Sequence, residues 1–447
     1  MTASRCRRRL GHPSVVVFAC LFASQAGLLV LSPILVDIAR EFGMSPGTAG
    51  QLRSISGATG GLTALVLATV PRRPGPRELL TLGAALAALG SALSAAAPSF
   101  ITLAVAQGVL GVGIGLLVAV GIAAAGEWPA SAERPRVLAW AIAGMPAAWI
   151  AGMPIVGAVA EAGWRATWIA VPAAAGLVAL ALVRMRPPDP PSWRSGGAVA
   201  AWKRPEVARF AGGELLANAA WAGVLTYSGA LLLESYAISP AMVALGLGLM
   251  ASAMLPGTFS ARRAAAHATP RGLAGLTAFQ AAAVLALGAL RPSVGVTLAL
   301  LAAMAFVNGW RTMLASALGM DGVPEDRVAV MSMRAGANQF GYLLGAAAGG
   351  LALALGGFPM LGLTLAALFV AAVLIHCPAL VRTPTPVPRG RRPDRYVAVT
   401  PSGGKVRKSA RNSTTPATAA AQMRSPVSAE LTVGSPMIPS GKRSANV

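Results

Sequence analysis

A chain of 447 residues, 55% hydrophobic and only 12% charged, has too few charges to coat a water-soluble fold, in which roughly 25% of residues are charged. The net charge of +22 does not point to nucleic acid, because the basic residues flank apolar stretches and fill the terminal segments instead of forming a soluble basic surface. Cys6, Cys20 and Cys377 and His12, His267 and His376 are scattered, so neither a disulfide framework nor a metal site or other cofactor is expected.

Twelve apolar stretches follow one another, each near the roughly 20 residues that a helix needs to cross a bilayer core. They predict helices over 14–37, 47–70, 78–97, 99–125, 137–160, 164–185, 207–233, 239–259, 271–290, 293–318, 328–354 and 358–381. All are read as helices, because an open sheet in lipid would leave backbone groups unpaired. The first stretch follows a basic run, Arg5 to Arg9, as a signal peptide would. Its apolar run continues through Val36, too long for the apolar part of one.

The predicted organisation is a short N-terminus (1–13), a six-helix bundle (14–185), a Pro/Gly-rich basic linker (186–206), a second six-helix bundle (207–381) and a polar basic tail (382–447). The tail has no apolar periodicity and reads as disordered. With the N-terminus inside, 31 of the 37 Lys and Arg residues fall on inside segments. Arg40, Arg53, Arg165 and Arg291 fall outside, and Arg311 and Arg334 lie within helices. That asymmetry places both termini in the cytoplasm.

Helix five carries Gly144, Gly152 and Gly157, which permit close backbone approach, and Pro146 and Pro154, which favour bends. A bent helix with a glycine face suits rolling against a partner, so Gly152, Pro154 and Gly157 are candidates for a conformational motif.

Two six-helix halves joined by a basic loop resemble the major facilitator superfamily. The end of helix one, Ser32-Pro-Ile-Leu-Val-Asp-Ile-Ala-Arg-Glu-Phe-Gly-Met-Ser45, resembles the opening of its twelve-helix drug:proton antiporter group. Ala151-Gly-Met-Pro-Ile-Val-Gly157, followed by Gly163-Trp-Arg-Ala-Thr-Trp168, is similar to the antiporter motif of that group. Gly336, Gly341, Gly345, Gly349 and Gly350 resemble the matching eleventh helix. The sequence departs from the pattern where Arg72 stands for the usual Asp of the loop after helix two, where Ala104 stands for an Arg of helix four linked to proton coupling, and where Pro154 falls one place late.

The resemblance implies a cavity lined by helices one, four, seven and ten. Intramembrane charge is costly and usually functional. Glu214, Asn218 and Trp221 follow helical spacing on helix seven; Asn308 and Arg311 share a face of helix ten; Arg334 lies two turns into helix eleven. Glu214 is expected to pair with Arg311 or Arg334. Gln25 and Gln107 are the candidate donors of the first half. Asp37 and Arg53 are candidates for an outer gate, with an ordinary solvated pair as the plainer reading. Trp221 and Tyr227 would offer stacking surface to a solute.

No nucleophile–base pair, phosphate loop or clustered catalytic acids occur within the spans, so an enzyme is not expected. The resemblance implies a monomeric secondary exporter of a small apolar or amphipathic solute, coupled to protons and embedded in the cell membrane. An importer of a small nutrient (a sugar, an amino acid or an organic anion) and a receptor that kept the fold without transport are the alternatives.

Overall fold

Proline opens a helix at Pro13, Pro46, Pro76, Pro205, Pro240 and Pro270, where its missing N–H would be unpaired anyway and its fixed φ suits the first turn. The computed structural model describes residues 11–69, 74–129, 133–160, 162–187, 189, 204–265, 267–322 and 327–381. The chain divides into Met1–Pro386 and Val387–Val447. The second unit, the N-terminal arginine run, Arg72 and most of the linker lie outside the described residues.

The helices are α1 (Pro13–Leu29), α2 (Leu31–Glu41), α3 (Pro46–Thr69), α4 (Pro76–Ala96), α5 (Phe100–Glu127), α6 (Arg134–Ala160), α7 (Trp164–Trp168), α8 (Ala174–Arg184), α9 (Pro205–Tyr236), α10 (Pro240–Ala265), α11 (Pro270–Ala289), α12 (Val294–Gly322) and α13 (Arg327–Val381). A π-helical turn, Ile169–Ala173, contains Pro172 and joins α7 to α8. Side chains close several ends. Ser99 and Thr102 form a reciprocal capping box at α5, and the Thr269 hydroxyl accepts from Gly272 N at 3.1 Å at α11.

Among the described residues ten segments are long and apolar enough to cross a membrane. One is Pro13–Glu41, made of α1 and α2. These part at Val30 because Pro33 has no N–H for the Leu29 carbonyl four residues back. Another is Gly336–His376, 41 residues long and so twice one crossing. It is broken at Gly356 and Gly357; Gly357 has φ +62°, in the left-handed region where a Cβ would be penalised. The 24 residues of α3 are less apolar, since they include Gln51, Arg53 and several serines and glycines. With α3 and both legs of α13 the described residues make twelve helical crossings.

Large apolar side chains cover the outside: Ile101 is 75% and Leu355 73% exposed. Such a surface belongs against lipid tails. Hydroxyls inside the helices bond to their own backbone, as Ser91 does to Ala87 O and Thr226 to Ala222 O, both at 2.7 Å.

The first six crossings pack together through α1 on α5, α6 and α8, α3 on α5, and α4 on α5 and α8. The last six pack through α9 on α13, α10 on α12, and α11 on α12 and α13. The two sets meet through α3 on α13, α6 on α10 and α2 on α9. Because successive crossings alternate direction, one end of the bundle gathers Glu41, Pro46, Ala160, Pro240 and Gly356, and the opposite end gathers Pro13, Arg77, Arg184, Pro205 and Arg327. These are called the Glu41 end and the Arg77 end.

Candidate functional site

The helical stripe of α9 brings Glu214 and Asn218 onto one face, completely burying Glu214. Its carboxylate accepts from two arginines at once: Arg311 Nη1 donates to Oε1 at 2.6 Å, and Arg334 Nε donates to Oε2 at 2.8 Å. Arg311, on α12, also donates from Nη2 to Asn218 Oδ1 at 3.2 Å and from Nε to Asn308 Oδ1 at 3.4 Å. Arg334, on α13, is further held by Ser316 Oγ at 2.8 Å and Thr312 O at 3.3 Å. At about 1.5 Å per residue, all three charged groups lie at comparable depth from the Arg77 end, as their distances from the helix ends require. Three charges in lipid demand such mutual satisfaction.

The sequence-based expectation gave Glu214 either Arg311 or Arg334 as its partner; both are present. The knot also recruits groups that the sequence reading passed over. Gln280 of α11 donates to Asn308 Oδ1 at 3.3 Å. The buried His376 ring of α13 lies 6.1 Å from the Phe210 ring, beside Gly213. The period of α11 and α13 places these residues inside, but nothing in their spacing marks them as neighbours of Glu214. Trp221 is buried two turns further along α9.

In the first six crossings the two glutamines bond to different partners, neither of them in that knot. Gln25 Oε1 accepts from Trp149 Nε1 at 3.2 Å, linking α1 to α6. Gln107 Nε2 donates to Ser94 Oγ at 2.9 Å, linking α5 to α4.

From the Glu41 end to about mid-span the two sets of crossings touch closely. A Cβ placed on Gly57 would lie 2.6 Å from Leu343 N. Gln51 Nε2 donates to Ala346 O at 3.3 Å, Ser54 Oγ to Leu343 O at 3.2 Å, and Gly229 N to Ser32 Oγ at 3.2 Å. On the other flank Gly157 lies against Ala241 and Ala244, and Met153 and Pro154 lie against Gly248. Gly157 and Pro154 therefore face the second set, whereas Gly152 faces Leu29 within the first. The Gly-Trp-Arg segment braces the same end. Trp164 Nε1 and Arg165 Nη1 both donate to Glu41 Oε2 at 2.6 Å, and Arg165 Nη2 donates to Ala97 O at 2.9 Å.

Asp37 and Arg53 do not form a solvated pair. Asp37 lies 3.8 Å from Arg40, one turn along the same helix. Arg53 is 1% exposed, and its three guanidinium nitrogens have no hydrogen-bond partner. Its Cζ lies 5.5 Å from the centroid of the Tyr342 ring. Packing of α13 over α3 removes it from water.

At the Arg77 end Asp189, just past α8, takes a donor from each of two neighbouring helices. Its carboxylate accepts from Arg77 N at 2.6 Å, at the start of α4, and from Trp128 Nε1 at 2.8 Å, at the end of α5. Arg186 lies over the Trp128 ring at 3.8 Å. Its burial there pushes the guanidinium pKa below its usual value, against the opposing pull of Asp189.

Among the described residues no three His, Cys, Asp or Glu side chains are placed to hold a metal ion. Twelve apolar crossings in two sets, with a buried charged knot and glycine-lined contacts between the sets, define a multi-pass integral membrane protein of the transporter class. The chain belongs to the Major Facilitator Superfamily, whose family model matches residues 17–327. No curated protein sequence matches it. The fold is similar to that of a bacterial homolog of the human lysosomal transporter Spinster in an inward-facing and occupied conformation (TM-score 0.65, 14% identity, 82% of this chain and 96% of that one). It is also similar to a D-xylose–proton symporter (TM-score 0.63, 14% identity, 81% and 96%).

Proposed function

We propose that this protein is a secondary active transporter that exports a small apolar or amphipathic solute across the cell membrane by alternating access, with protons as the coupling ion. The observation that carries this reading is the pair of glycine-lined contacts, α3 on α13 and α6 on α10, through which the two sets of crossings meet at the Glu41 end. Small residues let two rigid bundles separate and re-close without repacking large side chains. The likeness of helix five to the antiporter motif supports export and the drug:proton antiporter group. The excess of basic residues supports a cytoplasmic Arg77 end and cytoplasmic termini. On this reading residues 14–185 and 207–381 are the moving bundles, 186–206 is their linker, and 382–447 is a cytoplasmic tail. Gln25, Gln107, Glu214, Asn218, Trp221, Asn308, Arg311 and Arg334 surround the path of the solute and the proton, and the transporter works as a monomer.

Transport in proteoliposomes tests this. Amphipathic fluorescent dyes should accumulate in vesicles of inside-out orientation when the lumen is acidified, and a protonophore should abolish the accumulation. Flux indifferent to the proton gradient, or uphill movement only in the inward direction, would sink the proposal and favour nutrient import.

A further inference from the structure

Arg53 is the least satisfied charge among the described residues. It stands seven residues into α3, about 10 Å from the Glu41 end, and is almost fully enclosed with all three nitrogens unbonded. A guanidinium offers five donors in a rigid fork shaped for a carboxylate. Left alone in a low-dielectric interior it costs several kcal/mol, and a face-on tyrosine ring at 5.5 Å repays only a fraction of that. The only buried carboxylate among the described intramembrane groups, Glu214, already holds two arginines. The fully buried charges among the described residues of the membrane interior are thus Arg53, Arg311 and Glu214, and Glu214 is already shared between Arg311 and the partly buried Arg334, which leaves Arg53 with no buried counter-ion.

The position of Arg53 is as telling as its isolation. Gly50 and Gly57 lie one turn to either side on α3 and are pressed against Tyr227 and Leu343 of the second half. Any separation of α3 from α13 exposes Arg53 toward the Glu41 end, and re-closure buries it again. A residue at that seam, with unused donors and no counter-ion, would be neutralised by whatever anion enters as the seam opens.

We infer that Arg53 docks the anionic head of the transported solute, which is an amphipathic monoanion carrying a carboxylate. This inference rests on the transport reading above and narrows its solute class. The apolar body lies against the surrounding helix walls and the Tyr342 ring, and the carboxylate takes the guanidinium fork.

The test uses the full-length protein in lipid nanodiscs and three matched pairs of probes: naphthalene-1-acetate with its amide, octanoate with octanamide, and 4-hydroxybenzoate with its amide. Thermal unfolding is measured in gluconate buffer for the native protein, Arg53→Met and Arg53→Lys. At least one acid should raise the melting temperature while its amide does not. The preference should vanish in Arg53→Met and shrink in Arg53→Lys, which keeps the charge if the methionine variant fails to fold. Without ligand, Arg53→Met should melt higher than the native protein, because a residue kept for binding destabilises the empty fold. Stabilisation by none of the acids, equal stabilisation by acids and amides, or an acid preference that survives both substitutions overturns the inference. So does the same shift from sodium chloride alone, which would assign Arg53 to an inorganic anion. Proton-driven dye flux that persists alongside such a result would leave the transport reading standing, so the two fail separately.

Discussion

Glu214 is the hinge of the charged knot because two cations depend on one carboxylate. Glu214→Gln leaves both guanidiniums without a counter-charge and should cost about 3–5 kcal/mol, the range for breaking a buried ion pair by removing one partner. Arg334→Gln should cost less, since Arg334 is partly exposed and its removal leaves Arg311 paired. Thermal unfolding of the purified variants checks the order, and equal losses for the two would show that the carboxylate is not shared as described. At this scale the sequence was partly legible. The helical spacing of Glu214 and Asn218 and the similar depths of Arg311 and Arg334 announced the knot. The burial of Arg53 was not announced, because it depends on Tyr342 and the rest of α13, far along the chain, while its place near a helix end suggested the water-facing mouth.

Among the elements, α3 and α13 depend on an absent side chain. Leu343 N already lies 2.6 Å from where the first side-chain carbon at position 57 would stand. Gly57→Val adds that carbon and two methyl groups beyond it, so the helices cannot close at the Glu41 end. Spin labels on Ser45 and Ser239, both exposed near that end, should report a longer mean distance in the variant than in the native protein. An unchanged distance would remove the glycine contact from any account of closure. Most helix limits were legible to within about four residues, because apolar length and proline starts are local properties; α10 runs on to Ala265, beyond the expected end at 259. The bend at Val30 was missed although Pro33 was in view, since a membrane helix often absorbs a proline without parting. The break at Gly356 and Gly357 was legible as the gap between the last two predicted helices.

For the whole molecule, the even number of crossings and the skewed distribution of arginine predict that tags on the N- and C-termini are both reached by protease only from the cytoplasmic face. Protection of both tags in sealed cells is the expected outcome, and exposure of just one of them would rule out twelve crossings. The two-set architecture was legible from the twelve apolar stretches and the basic linker between the sixth and the seventh. What the linker residues do was not, for Asp189 takes its partners from α4 and α5, helices that no spacing rule connects to it. Nor did the Gly-Trp-Arg segment declare its partner: Glu41 lies in the first crossing and is reached only once the sixth has packed beside it.

The polar clasp between α3 and α13 is lopsided. Gln51 and Ser54 supply the donors, but the acceptors at Leu343 and Ala346 are main-chain oxygens. Every amino acid offers the same oxygen, so drift at positions 343 and 346 leaves the clasp intact provided the newcomer fits. Genetic screens for a loosened clasp should therefore recover alleles on one side of this contact, in codons 51 and 54, and few on the other.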